Sequence, residues 1–123
     1  EEALPFENYL KIDNTTLTPE EAAEKAKLFH ERGIANAMIS LGGDGALLAC
    51  KEGVFTVHAP KIRPVSTIGA GDSSIAGFLA AAAEGKPAAD CLKTAVAYGT
   101  AACLTAGTLP PRREDIHSIL SRL

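Results

Sequence analysis

A chain of 123 residues, 46% of them hydrophobic, can form one domain around one core. Its net charge of −3 offers no positive surface for nucleic acid or an anionic membrane, and we expect neither partner. The three cysteines lack a Cys-x-x-Cys pair or a nearby histidine, so we expect neither a disulfide framework nor a zinc site, and a reducing cytoplasm fits best.

The first third of the chain is predicted to begin irregularly and then form a helix. Residues 1–16 show no steady periodicity and are predicted to be irregular. A helix is predicted over Pro19–Arg32, because its apolar residues recur every three or four positions. Thr18 and Glu21 have the spacing of a capping box at its start, and Gly33 is a stop signal at its end.

Strands are predicted in the middle of the chain. The nearly continuous apolar run Ala37–Leu41 is typical of a strand buried on both faces of a parallel sheet. Ala46–Lys51 and Val54–His58 are predicted to form a hairpin around the turn signal at Glu52 and Gly53. Another extended piece, Lys61–Val65, lies near two prolines, which confine it to an edge strand or a strand start.

Three helices are predicted in the rest of the chain. Small residues in the first two favour close packing, and we expect these two to form an αα-hairpin. The predicted helices run from Gly71 or Asp72 to Glu84, from Pro87 or Ala88 to about Leu104, and from Arg112 to Arg122.

A glycine-rich stretch, Ser66-Thr-Ile-Gly-Ala-Gly-Asp72, leads into the first of these helices. Glycines on both sides of Ala70 allow a sharp turn, and its N–H groups can converge at a helix N-terminus, which favours anion binding. A carboxylate at Asp72 would repel a bound phosphate unless it serves as the general base for an attacking hydroxyl. The alternative is an inert first-turn acidic residue that only favours the helix dipole.

A second glycine-rich stretch, Gly42–Gly45, follows the predicted buried strand. Ligands of open α/β sheets bind at the carboxyl ends of the strands, so this position suits a nucleotide loop. The alternative is a plain hairpin turn between Leu41 and Ala46.

Both stretches resemble motifs of one enzyme family. Thr67–Ala80 closely resembles the C-terminal signature of the ribokinase-like (PfkB) sugar kinases, and Ser40–Leu48 resembles the family's upstream nucleotide loop at the usual distance. The resemblance covers roughly residues 18 to 122, and the two motifs in this order are far more specific than either alone. Within this family, the sequence of Val65–Asp72 is most similar to that of 1-phosphofructokinases and tagatose-6-phosphate kinases.

The resemblance implies the C-terminal part of a three-layer αβα ribokinase-like fold, with a mostly parallel sheet, a β-hairpin and flanking helices. Residues 17–123 would be the nucleotide-binding part of a kinase domain whose N-terminal part and lid are absent. We expect the surface left bare beside Ala37–Leu41 to be apolar and to allow self-association.

The resemblance also implies transfer of the γ-phosphoryl group of ATP, with Mg²⁺, to a sugar phosphate of the fructose 1-phosphate or tagatose 6-phosphate type. Asp72 would be the base, while the N–H groups of Gly69, Ala70 and Gly71 would stabilise the developing charge. The implied nucleotide-binding residues are Ser40, Leu41, Gly42, Gly43, Asp44, Gly45, Gly71, Ala97 and Gly99.

This sequence departs from the family pattern at two places. Ser66 stands where several ribokinase-like enzymes use an Asp beside a monovalent cation, so the resemblance does not extend to a potassium site. The family's acidic motif for Mg²⁺ and phosphates should lie at or before Glu1, and we expect the chain alone to be inactive. Two alternatives are a non-catalytic nucleotide- or anion-binding module and a kinase of the same superfamily that acts on another small-molecule alcohol.

Overall fold

The computed structural model describes residues 9–13, 17–41, 44–65, 70–105 and 110–123. It confirms each predicted helix and the predicted strands Ala37–Leu41, Ala46–Lys51 and Val54–His58 to within two residues at their ends. In chain order the elements are β1 (Tyr9–Asp13), α1 (Pro19–Glu31), β2 (Asn36–Ser40), β3 (Ala46–Cys50), β4 (Gly53–Val57), α2 (Ala70–Ala83), α3 (Ala88–Ala102) and α4 (Arg113–Leu120).

The prediction that residues 1–16 are irregular is wrong for residues 9–13, which form β1. This strand pairs in parallel with β2, with Tyr9 opposite Asn36 and Asp13 opposite Ser40. Five residues are too few for a clear alternating pattern, and the pairing with a neighbouring strand, more than local propensity, makes them a strand. The remaining residues of this segment lie outside the described ranges.

The prediction that Lys61–Val65 lies at a sheet edge is also wrong. Residues 58–65 leave β4 without joining the sheet. Pro60 and Pro64 have no N–H to donate to a neighbouring strand, which explains why the ladder ends before them. The N–H of Val65 donates instead to the carbonyl of Cys103 at 2.7 Å, at the end of α3.

The described strands form one mixed sheet in the order β1-β2-β3-β4. β1 and β2 are parallel, whereas the β2–β3 and β3–β4 pairs are antiparallel. β2 therefore has a neighbour on each side, and our reason for expecting a bare surface beside it is wrong. Among the described strands, β1 and β4 are the two that pair on one side alone.

Helices cover both faces of this sheet and confirm the three-layer arrangement. On one face, Ala22 and Ala26 of α1 pack against a fully buried Ile39 of β2 and Leu47 of β3. The predicted capping box starts α1, with the N–H of Glu21 donating to Thr18 Oγ1 at 3.1 Å.

The opposite face carries the largest cluster of buried side chains. Met38 and Leu48 of the sheet belong to one buried cluster with Phe78 of α2 and Leu92 of α3. α4 lies behind α3, where Ile119 packs against α3. Burial of both faces of β2 and β3 explains why the predicted apolar run of β2 has no polar alternation.

Candidate functional site

The loop after β2 and the segment after β4 leave the sheet at the same end of its strands. Ser40 at the end of β2 lies opposite Ala46, and Ala46 lies opposite Val57 at the end of β4. Because β2 and β4 are both antiparallel to β3, they run in the same direction, and their last residues lie level with each other across the sheet. The loop of residues 41–45 and the segment of residues 58–65 therefore start as neighbours.

The loop after β2 is a tight turn closed by its own backbone. The N–H of Leu41 donates to the carbonyl of Gly45 at 2.8 Å, and the N–H of Asp44 donates to the carbonyl of Leu41 at 3.2 Å. Leu41 is buried and Ser40 half-buried, whereas the side chain of Asp44 is exposed. The other two loop candidates, Gly42 and Gly43, lie outside the described residues.

Gly45 holds this loop against the end of β4. Its φ of +109° lies in the region that favours glycine. A Cβ at this position would overlap the carbonyl oxygen of Val57 and would lie 2.9 Å from the nitrogen of Ala59. A second link joins the same segments, because Lys61 Nζ lies 3.8 Å from Asp44 Oδ1.

The first turn of α2 carries the candidate base. α2 begins at Ala70, and Asp72 is its third residue, with an exposed side chain. The N–H groups of a first helical turn have no partners inside the helix and lie at its positive end. This turn can therefore bind an anion beside a carboxylate. Gly71 is half-buried here, and Gly69 lies outside the described residues.

Gly99 of α3 packs against this turn. A Cβ on Gly99 would overlap the hydroxyl oxygen of Ser74 and would lie 3.4 Å from the carbonyl oxygen of Ala70. The absence of a side chain therefore allows α3 to approach the start of α2 closely.

Ala97 lies elsewhere on α3. It is fully buried and packs in a cluster with Ala101 and Ile119, toward α4. The structure thus brings Gly99 to the Asp72 turn and places Ala97 on a different face of the same helix.

A groove of about 970 Å³ runs between α2, α3 and α4. Asp72 and Glu84 of α2 line it, and small side chains between them leave the space open. Among the predicted site residues that the structure describes, Asp72 lines the groove, whereas Leu41, Asp44 and Gly45 do not, so the groove is separate from the described part of the loop after β2. Its other lining residues include Ala76, Ala80, Thr94, Tyr98, Arg113 and His117.

The titratable groups that the structure describes do not indicate another chemistry. Burial raises the pKa of the thiols of Cys50, Cys91 and Cys103, which keeps them protonated at neutral pH and makes them poor nucleophiles. Within the described ranges no three His, Cys, Asp or Glu side chains come together as a metal site. None of the helices there has the length and apolar character that a bilayer crossing requires.

Sequence reasoning missed the contacts of Lys61 and Ser74. A hairpin with two strands of equal length returns the chain to its starting edge, so the residues after β4 should lie beside the loop after β2. The equal strand lengths could therefore have indicated the contact of Lys61. The contact of Ser74 with Gly99 depends on how two helices cross, and no local pattern indicates it.

Comparisons with known proteins identify relatives of this chain. The family model described as "pfkB family carbohydrate kinase" matches residues 7–115. A 1-phosphofructokinase from Haloferax volcanii is 39% identical over 102 residues, which are 83% of this chain and 33% of that protein. The chain therefore spans about a third of the length of this relative.

Solved structures have the same fold. The phosphofructokinase-2 of Escherichia coli in complex with substrates and products superposes with a TM-score of 0.84 at 27% identity, over 92% of this chain and 40% of that one. A ribokinase from Thermotoga maritima gives a TM-score of 0.76 at 28% identity, over 93% of this chain and 42% of that one. The three-layer arrangement is therefore similar to the ribokinase-like fold.

Proposed function

The chain belongs to the pfkB family of carbohydrate kinases, and on that premise we propose that it is the C-terminal, nucleotide-side part of an ATP-dependent sugar-phosphate kinase. The observation that supports this proposal most is that the loop of residues 41–45 and the segment of residues 58–65, which precedes the Ser66–Asp72 stretch in the chain, start side by side at the ends of β2 and β4. In this proposal the loop contacts the nucleotide, and the start of α2 contacts the transferred group.

In this proposal Asp72 is the general base. ATP, when bound, supplies the phosphoryl group that is transferred. The exposed carboxylate of Asp72 accepts the proton of the acceptor hydroxyl. The N–H groups of Gly69, Ala70 and Gly71 stabilise the negative charge that develops on the transferred group, because a first helical turn presents unpaired donors.

The remaining nucleotide contacts come from the loop after β2. Residues 40–45 would line the nucleotide, and Gly99, which packs against Ser74, would let α3 support the first turn of α2. Contact with the buried Ala97 would require α4 to move, so Ala97 is the weakest of the proposed contacts.

The fit of Mg²⁺ to the described residues is poor. They offer no group of three ligands for it. The metal would have to be held by nucleotide phosphates or by residues outside the described ranges, and no step proposed here depends on it.

The acceptor we propose is fructose 1-phosphate. The relative from Haloferax volcanii is named a 1-phosphofructokinase, and this supports fructose 1-phosphate over a tagatose 6-phosphate acceptor. Because most of the sugar site would lie outside this chain, we also propose that the 123-residue chain alone has no measurable activity.

Two further properties are part of the proposal. The three free cysteines, two of them buried, suit the reducing conditions of the cytoplasm. Self-association of the isolated chain would use the outer edge of β1, because that edge has no strand partner among the described residues.

The experiment that tests this proposal is an acceptor panel with the intact protein that carries this chain. ATP consumption and product would be measured with fructose 1-phosphate, tagatose 6-phosphate, fructose 6-phosphate and unphosphorylated fructose. We expect turnover with a sugar phosphate, with the highest kcat/KM for fructose 1-phosphate. ATP binding without phosphotransfer to any acceptor would contradict the proposal and would favour a non-catalytic nucleotide-binding module.

A further inference from the structure

Asp44 is an unfavourable residue for the loop after β2 if that loop binds a nucleoside triphosphate. Its carboxylate is exposed, with 69% of the side chain accessible. A negative charge beside a phosphate chain weakens binding, because like charges repel even through water. The loop therefore needs a nearby positive charge to be compatible with an anionic ligand.

Lys61 supplies that charge. Its ammonium nitrogen lies 3.8 Å from Asp44 Oδ1, and its side chain is 90% exposed. A pair this exposed contributes little to the stability of the fold. Its effect on the local potential does not depend on that contribution, because a positive charge 3.8 Å from the carboxylate offsets the repulsion that the carboxylate exerts on a more distant anion.

The backbone keeps the two residues close. Gly45, next to Asp44, is in direct contact with the backbone of Val57 and Ala59, and Lys61 follows two residues later. The hydrogen bond from the N–H of Leu41 to the carbonyl of Gly45 closes the loop and fixes Gly45 relative to the end of β2. Lys61 is therefore attached at a constant position relative to the loop, even though both charged side chains extend into solvent.

We propose that Lys61 sets the affinity of this loop for the phosphate chain of a nucleotide by neutralising Asp44. This inference rests on the proposed function, because it assumes that the loop meets a nucleotide. Lys61 acts through Asp44 and is a positioning residue that does not touch the reacting atoms.

The test is a charge cycle in the intact protein, read as dissociation constants for ATP, ADP and adenosine by calorimetry at low ionic strength. Lys61→Met should weaken ATP binding about two- to fivefold, and Asp44→Asn should tighten it by a similar or smaller factor. The double variant should return to the wild-type value, since its local charge is again balanced. The effect should be smaller for ADP, absent for adenosine and reduced by added salt.

Lys51→Met is the matched control. Lys51 is an exposed lysine in the turn between β3 and β4, at the opposite end of the hairpin, and the variant makes the same change in net charge. Its ATP affinity should equal that of wild type.

The outcomes separate the inference from the function on which it rests. If wild type binds ATP and Lys61→Met binds it equally well, the inference is overturned while the proposed function stands. It is also overturned if Lys61→Met weakens ATP and adenosine equally, or if Asp44→Asn fails to restore affinity in the double variant. If wild type binds neither ATP nor ADP, both the proposed function and the inference are contradicted.

Discussion

The loop after β2 and the first turn of α2 both contain glycines to which we assign a role in phosphotransfer. The two regions are held in place in different ways. Gly45 is locked by a positive φ and by contact with the backbone of β4. The first turn of α2 is held by the packing of α3 through Gly99, mostly against the side chain of Ser74. Backbone contacts cannot yield, whereas side chains can rotate, so the two regions should differ in their tolerance of substitution.

The largest loss of stability is expected at the loop. Gly45→Ala would force a Cβ into the carbonyl of Val57 at a φ that alanine disfavours, and should lower the free energy of unfolding by about 3 kcal/mol or more. Gly53→Ala is the control, because Gly53 has a φ of +128° and open space around it, and should lose about 1 kcal/mol. Denaturant unfolding of the intact protein measures both. Equal losses would mean that the contact with β4 is unimportant.

A smaller loss is expected in the middle of the α2–α3 contact. A Cβ on Gly77 would lie 2.7 Å from Tyr98 Cγ and 2.8 Å from the carbonyl oxygen of Thr94. The ring can move but the backbone of α3 cannot, so Gly77→Ala should cost about 1–3 kcal/mol of unfolding free energy. Combining it with Tyr98→Ala tests this reasoning in a double-mutant cycle. The cycle should show a favourable coupling between the two changes, and additive losses would count against a clash with the ring.

The next smaller loss is expected beside Asp72. Gly99→Ala would meet the hydroxyl of Ser74, a short side chain that can rotate, and should cost about 1 kcal/mol. Adding Ser74→Ala should remove most of that cost, because the nearest remaining atoms lie 3.4 and 3.6 Å away. Thermal unfolding of both variants checks this, and a double variant no more stable than Gly99→Ala would show that the hydroxyl is not the obstacle.

The smallest effect concerns pH and belongs to neither region. Burial raises the pKa of Cys50, Cys91 and Cys103 above 9.0 in the folded state. Above pH 9 the unfolded chain therefore releases protons that the folded chain keeps, and stability should fall as the pH rises. A variant with alanine at all three positions should lose less stability between pH 8 and pH 10, and an unchanged slope would contradict this explanation.

The sequence predicts most of the fold because most elements have local causes. The capping box at Thr18, the apolar run of β2 and the hairpin turn at Gly53 each specify an element through neighbouring residues. β1 was missed because its pairing with β2, more than its own pattern, makes it a strand. The edge role predicted for Lys61–Val65 failed because the two nearby prolines end the ladder instead of bordering a strand.

The candidate site shows the same division. Asp72 and the loop glycines were found from spacing and from the family resemblance, both of which depend on short stretches of sequence. The residues that hold them, such as Ser74 and Lys61, act across elements far apart in the chain. The contact of Ser74 depends on how two helices cross, for which a single sequence carries little signal, whereas the position of Lys61 follows from the equal lengths of the two hairpin strands.

The central claim is that Asp72 is the base of a phosphotransfer reaction, and the most direct test compares two aspartates in the intact protein. Asp72 is the third residue of α2 and Asp90 the third residue of α3, so both favour a helix dipole. The measurement is kcat with the best acceptor, together with the dissociation constant for ATP, for Asp72→Asn, Asp90→Asn and wild type. We predict that Asp72→Asn lowers kcat by about 10²- to 10⁴-fold, or about 3–5 kcal/mol of barrier, with ATP affinity little changed, while Asp90→Asn leaves both unchanged. A folded Asp72→Asn variant with kcat within about threefold of wild type would contradict the claim.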